Sequence, residues 1–156
     1  MRVIGIDPGL ARMGYGVIEV RGRDNVAVCY GCIESGKDVP APARLLHIYD
    51  ELSGLFEKYQ PEHIAVEKLF FSKNITSAMG VSEARGVILL LAGQKEIPVT
   101  EYTPNQVKQA ITGSGRADKR QVQDMITRLL RLDSVPKPDD AADALSIALC
   151  HLHILR

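Results

Sequence analysis

The chain has 156 residues, enough for one domain with a real core. Its 19 basic and 19 acidic residues balance, so no global field announces a nucleic-acid or membrane partner. Three cysteines, an odd count, argue against a disulfide framework and for free thiols.

Residues 3–6, 14–20 and 26–35 read as three strands, rich in β-branched residues and separated by Gly, Arg, Asp and Asn turn signals. Their short connections favour an antiparallel meander. Cys29 and Cys32 have C-x-x-C spacing but fall within the third strand, on opposite faces. No second Cys or His pair lies nearby, so packing is a better reading than zinc or redox chemistry. Residues 42–59 carry Leu45, Leu46, Ile48, Tyr49, Leu52, Leu55 and Phe56 at helical spacing, and Pro61 closes that helix.

A short buried strand follows at 63–67. A strand reached through a helix usually returns parallel, by a right-handed crossover. Residues 74–95 form a long predicted helix, with Asn74 or Thr76 as its cap and Gly80, Gly86 and Gly93 permitting close approach of another backbone. Residues 98–102 read as a fifth strand, and 104–111 and 118–132 as helices around Thr112-Gly113-Ser114-Gly115. Pro136 and Pro138 open a last helix at 139–154, Pro being suited to a first turn. The order β-β-β-α-β-α-β-α-α-α predicts an α/β fold in a single domain, 1–156. Its mixed five-stranded sheet has three antiparallel strands plus two parallel ones and is flanked by helices. No signal peptide is read at Met1-Arg2-Val3-Ile4, and the uncharged apolar run 86–93 is too short to span a bilayer. A soluble cytoplasmic protein is expected.

Four carboxylates stand out. Asp7 ends the apolar run Val3-Ile4-Gly5-Ile6, and Glu67 ends Ile64-Ala65-Val66. Asp140 and Asp143 lie three apart, on one face of the last helix. A carboxylate at the end of a buried strand is costly unless something positive meets it. The group therefore suggests a hard cation such as Mg²⁺, and with it phosphoryl chemistry. Each residue alone has a blander reading: Asp7-Pro8-Gly9 is a common turn, and Asp139 or Asp140 could cap a helix. Four carboxylates suffice for two Mg²⁺ ions. There is no Ser-His-Asp order and no P-loop. His47, His63, His151 and His153 read as structural. Residues 103–131 carry six basic residues against two acidic ones, a local net of +4 that is either a solvated face or a phosphate-binding patch.

Gly5-Ile6-Asp7-Pro8-Gly9 with Gly14-Tyr15-Gly16-Val17-Ile18 resembles the opening of the RuvC Holliday-junction resolvases. Further matches follow in order: Ala65-Val66-Glu67, Phe70-Phe71-Ser72-Lys73-Asn74, Ala84-Arg85-Gly86, Gln106-Val107-Lys108-Gln109 and Asp140-Ala141-Ala142-Asp143-Ala144-Leu145. The resemblance implies an RNase H-like fold and a homodimer. It implies Mg²⁺-dependent cleavage of four-way DNA junctions, with two ions per site and Mn²⁺ as a substitute. The nicks would be symmetric and leave 5′-phosphate and 3′-hydroxyl ends. It assigns the catalytic and metal-binding roles to Asp7, Glu67, Asp140 and Asp143, with Asp139 as the neighbouring alternative. It also places Phe70 at the bases near the crossover and implies a branch-migration helicase as partner. Lys73, Lys108, Lys119 and Arg120 are the expected DNA contacts. Three other readings remain: a nucleotide-binding ATPase of the actin or sugar-kinase kind, a non-catalytic DNA-binding module, and an RNase H-like nuclease acting on other substrates. The first needs two such domains, the second would be expected to lose ligands, and the third shares the metal site.

Overall fold

A computed structural model describes residues 1–69 and 75–156. The expectations for Phe70, Phe71, Lys73 and the Asn74 cap lie outside the described residues. The strands are β1 (Arg2–Asp7), β2 (Arg12–Arg21), β3 (Asp24–Glu34), β4 (His63–Glu67) and β5 (Val99–Tyr102). The helices are α1 (Ala41–Tyr59), α2 (Ile75–Lys95), α3 (Pro104–Thr112), α4 (Lys119–Leu129) and α5 (Asp139–Leu155). The sheet order is β3-β2-β1-β4-β5. The β1–β2 and β2–β3 pairs are antiparallel, and the β1–β4 and β4–β5 pairs parallel, as the connection lengths predict.

The two-residue period of a strand divides the core between two faces. Ile4, Ile6, Val17, Ile64 and Val66 point to one side and pack with α1 and α2 residues such as Leu52, Ile88 and Leu91. Val3, Ile18 and Ala65 point to the other and pack on α3, α4 and α5. The same alternation sends Gly5 and Asp7, Gly14 and Gly16, and Glu67 to the α5 side. Cys29 packs with the α1 side, while Cys32 lies against the Arg12 side chain near Asp140, so the two thiols do face opposite ways.

Gly5 pairs with Gly16, and Asp7 with Gly14, across β1 and β2. A Cβ on Gly5 would stand 2.0 Å from the Ala144 carbonyl oxygen, and one on Gly14 2.0 Å from that of Asp140. The helix backbone therefore rests directly on strand backbone, which the absence of a Cβ at these glycines allows.

Several boundaries differ from the sequence reading. Pro138 occupies the N-cap of α5 rather than its first turn. Helix α4 stops at Leu129, short of residue 132, because Arg131 has φ 52. Asp118 and Gln121 cap its start reciprocally, as Thr103 and Gln106 do for α3. The largest departure concerns α2. As a whole helix it is long and apolar enough to cross a membrane, although the uncharged run within it is short. Charged Glu83 and Arg85 interrupt it, and Arg85 is ion-paired to Glu101 at the sheet edge.

Candidate active site

Asp7 leaves the end of β1 and Glu67 the end of the adjacent parallel strand β4, one position beyond the Ile6–Val66 pair. Parallel neighbours that end together place two carboxylates side by side. Helix α5 crosses the same strand ends on its glycine seat, which brings its first turns over them. One carboxylate oxygen each from Asp7, Asp140 and Asp143 lies within 4.8 Å of the other two. Glu67 completes the group through a side-chain hydrogen bond to Asp7.

The electrostatics are those of crowded, half-buried acids. Burial pushes the Asp7 carboxyl up to about 9, reinforced by the hydrogen bond and charge of Glu67 and by the charges of Asp143 and Asp140. A hydrogen bond between two carboxyl groups requires one of them to keep its proton. Burial also raises Asp143; Lys119 opposes this, and Glu67 and Asp140 add to it. The donor set is all carboxylate oxygen, which suits a hard divalent cation such as Mg²⁺ or Mn²⁺ and not a thiolate-seeking metal.

Asp139 and Asp140 take different directions. Asp140 joins the cluster, while Asp139 turns to Lys119, 3.4 Å away, and Gln123, also 3.4 Å away. Lys119 lies 3.6 Å from Asp143 as well. Burial opposes the Lys119 charge, but Asp143 and Asp139 outweigh it and raise its pKa. A cleft of about 260 Å³ opens beside the carboxylates, lined by Glu67, Lys108, Lys119, Gln123 and Asp143. Lys108 and Lys119 therefore sit at the acidic cluster. Arg120 is exposed and does not line the cleft.

Sequence reasoning missed Arg12. Its guanidinium lies 3.2 Å from Asp140 and 3.9 Å from Glu34. The signal was available: Arg12 precedes Gly14 and Gly16 by even steps on β2 and so shares their face. The glycine seat was missed too. The buried pair Tyr102–His151, at 2.6 Å, lies beside His63 on the α5 side, and none of the three lines the cleft.

Residues 3–151 match the family model of the crossover junction endodeoxyribonuclease RuvC. The crossover junction endodeoxyribonuclease RuvC of Desulfitobacterium hafniense is 54% identical over 98% of this chain and 93% of its own length. That of Thermotoga petrophila is 53% identical over 97% of this chain and 92% of its own. The solved structure of Thermus thermophilus RuvC in complex with Holliday junction substrate superposes with a TM-score of 0.96 at 36% identity. The match covers 100% of this chain and 95% of that one. With an RNase H-like sheet, an acidic cluster at its strand ends and these likenesses over nearly its whole length, the chain belongs to the RuvC family of crossover junction endodeoxyribonucleases.

Proposed function

We propose that this chain, acting as one domain over residues 1–156, resolves four-way DNA junctions as a homodimer. It nicks two strands of like polarity symmetrically and leaves 5′-phosphate and 3′-hydroxyl ends. The observation that carries this reading is the convergence of Asp7, Asp140 and Asp143, with Glu67 bonded to Asp7, beside a cleft lined by Glu67, Asp143, Lys108 and Lys119.

Asp7, Glu67, Asp140 and Asp143 are the residues that would hold Mg²⁺. Two divalent ions held there would supply activation of a water and charge stabilisation at the leaving oxygen of an in-line displacement. The chain supplies the rest. Asp7, whose carboxyl is held protonated by burial and its acidic neighbours, gives up that proton when a cation is accepted, so metal affinity rises with pH. Arg12 holds Asp140 from the far side, and Lys119 holds Asp143. Lys108 and Lys119 offer ammonium groups to the phosphate entering the cleft. Phe70 and Lys73, which follow β4 in sequence, are proposed to meet the bases and backbone at the crossover.

A junction has two-fold symmetry, and paired nicks need two sites related by it. Helix α2 offers the surface. Ile75, Met79, Leu89 and Leu90 are 75%, 60%, 40% and 55% exposed. Ile75, Met79, Ser82, Gly86, Leu89 and Gly93 recur at alternating steps of four and three, the spacing of a helix-pairing seam, and Leu90 flanks them. A Cβ at Gly86 or Gly93 would meet nothing within 4 Å, so a partner helix can come close there. The family resemblance adds cytoplasmic location and a branch-migration helicase as loading partner.

The test is Mg²⁺-dependent cleavage of a synthetic four-way junction against linear duplex, with Asp7→Asn as control and Mn²⁺ binding followed separately. Junction-selective nicking that vanishes in Asp7→Asn, together with weaker Mn²⁺ binding, is expected. Equal cutting of both substrates would reject the resolvase reading. Cutting that survives Asp7→Asn would reject the metal site.

A further inference from the structure

Helix α4 is a ridge between two concave surfaces. At 3.6 residues per turn, Lys119 and Gln123 stand on one side, toward the carboxylates. Val122 and Ile126 are buried beneath. On the opposite side is a separate groove of about 490 Å³, formed by α4 and the turn that leads into it. Thr112, Ser114, Arg116, Gln121, Asp124 and Arg128 supply its polar lining.

Two guanidiniums face one carboxylate across this groove, so its charge is net positive. Neither Arg116 nor Arg128 has a side-chain hydrogen bond or ion pair among the described residues, whereas nearby Arg131 is tied to Asp24 at 3.2 Å. Exposed arginines without partners keep all five donors for a ligand, in a fork that matches phosphate oxygens. The helical period also places Arg120 on the crest, between the Lys119–Gln123 side and the Asp124–Arg128 side. Arg120 is exposed and has no ion pair among the described residues. A basic path thus runs from Lys108 and Lys119 in the cleft, over Arg120, to Arg116 and Arg128.

We propose that the groove holding Arg116 and Arg128 binds the sugar–phosphate backbone of the duplex arm that leaves the active cleft over α4. This rests on the junction reading for what occupies the cleft, but the contact itself is with an arm and does not need a crossover. A contact with backbone phosphate carries no sequence information directly, so the effect should be the same on any sequence.

The double variant Arg116→Ala/Arg128→Ala tests it. Binding of a fluorescent four-way junction and of a linear duplex is measured over a salt series in metal-free buffer. Each lost phosphate contact lowers the slope of log K against log salt by about 0.9, so the double variant should lose about two units on both DNAs. Arg116→Lys/Arg128→Lys should restore most of the slope, and Arg131→Ala should leave it unchanged. An unaltered slope in the double variant, at an unaltered melting midpoint, overturns the proposal. A drop confined to the junction also overturns it, since that would place the arginines at the crossover. Wild-type protein that binds junction and duplex alike would count against the resolvase reading, yet the duplex slope would still decide this groove.

Discussion

Helices α5 and α2 look alike in composition and do opposite things. Both are largely apolar, and neither gathers its few charged residues into a broad polar face. In α5 nearly every residue from Ala141 to Leu152 is buried, because the helix is enclosed by the sheet below and by α3 and α4 beside it. In α2 only Ala78, Ala84, Ile88, Leu91 and Ala92 are buried, and among the described residues nothing covers its outer side. A helix without a polar face must be covered all round. The fold covers α5 within one chain. It leaves α2 covered on one side, and the uncovered side carries the spacing and the small residues of a helix-pairing seam. The difference teaches that an all-apolar helix records how many neighbours it needs, not whether those neighbours belong to the same chain.

Paired truncations test this contrast most strongly. Leu149→Ala, in α5, should destabilise the protein by about 2–5 kcal/mol, as full burial predicts. Leu90→Ala, in α2, should change the stability of the monomer by about 0.5 kcal/mol or less while weakening self-association. Urea unfolding at several protein concentrations and sedimentation would measure both. If Leu90→Ala cost as much as Leu149→Ala at every concentration, α2 would be an ordinary core helix and the contrast would collapse.

The seating of α5 is tested by Gly14→Ala. The added Cβ meets the Asp140 carbonyl, so the first turn of α5 must lift from the sheet. Displacing ligands by about 1 Å can cost about 10²-fold in rate, and a loss of that order is expected in single-turnover nicking. An equivalent Gly86→Ala in α2 should leave the monomer folded and act on association alone. Nicking by Gly14→Ala at the wild-type rate would show that the seat does not set the ligand geometry.

The acid cluster predicts a smaller effect, of opposite sign for stability and activity. The Asp7 carboxyl, ordinarily near 3.8, is held near 9 by burial and by its acidic neighbours. The folded cluster therefore binds more protons than the unfolded chain between those values. Metal-free stability should fall as pH rises through that window. Asp7→Asn removes the repulsion and should raise the metal-free melting midpoint at pH 8 by about 2–4 °C, which corresponds to about 1 kcal/mol for a chain of this size. A lower midpoint would mean that the carboxylates are not in conflict.

The smallest effect concerns His151 in α5. Burial, with His63 adjacent, lowers its pKa below the ordinary 6.5. The folded ring stays neutral where the unfolded one takes a proton, so stability should decline as pH falls below about 6.5. The share from this one ring should be about 1 kcal/mol or less. His151→Phe should flatten that part of the stability–pH curve; an unchanged curve would remove His151 from the account.

Much of the molecule was legible from local pattern. Strand period, helix spacing, caps and connection lengths sufficed for the element order and the mixed sheet, because each depends on neighbours within a few residues. Asp7 and Glu67 were legible for the same reason, since a charge closing an apolar run is a local anomaly. The choice between Asp139 and Asp140 was not, because both begin the same helix and a small change in its rotation exchanges them. The close contact of α5 with Gly5, Gly14 and Gly16 sets that rotation. It turns Asp140 to the cluster and Asp139 to Lys119 and Gln123. The contact of Arg12 with Asp140 was hidden likewise, because it joins β2 to α5, which are distant in sequence.

By itself, then, the sequence determined which residues had to leave the core and which strands and helices carried them. Those are consequences of periodicity and of the cost of burying charge. The tertiary structure decided which carboxylates share one site, which cations flank them and which side of α2 stays bare. Those outcomes depend on close packing of backbone against backbone, where a single Cβ is enough to forbid the contact.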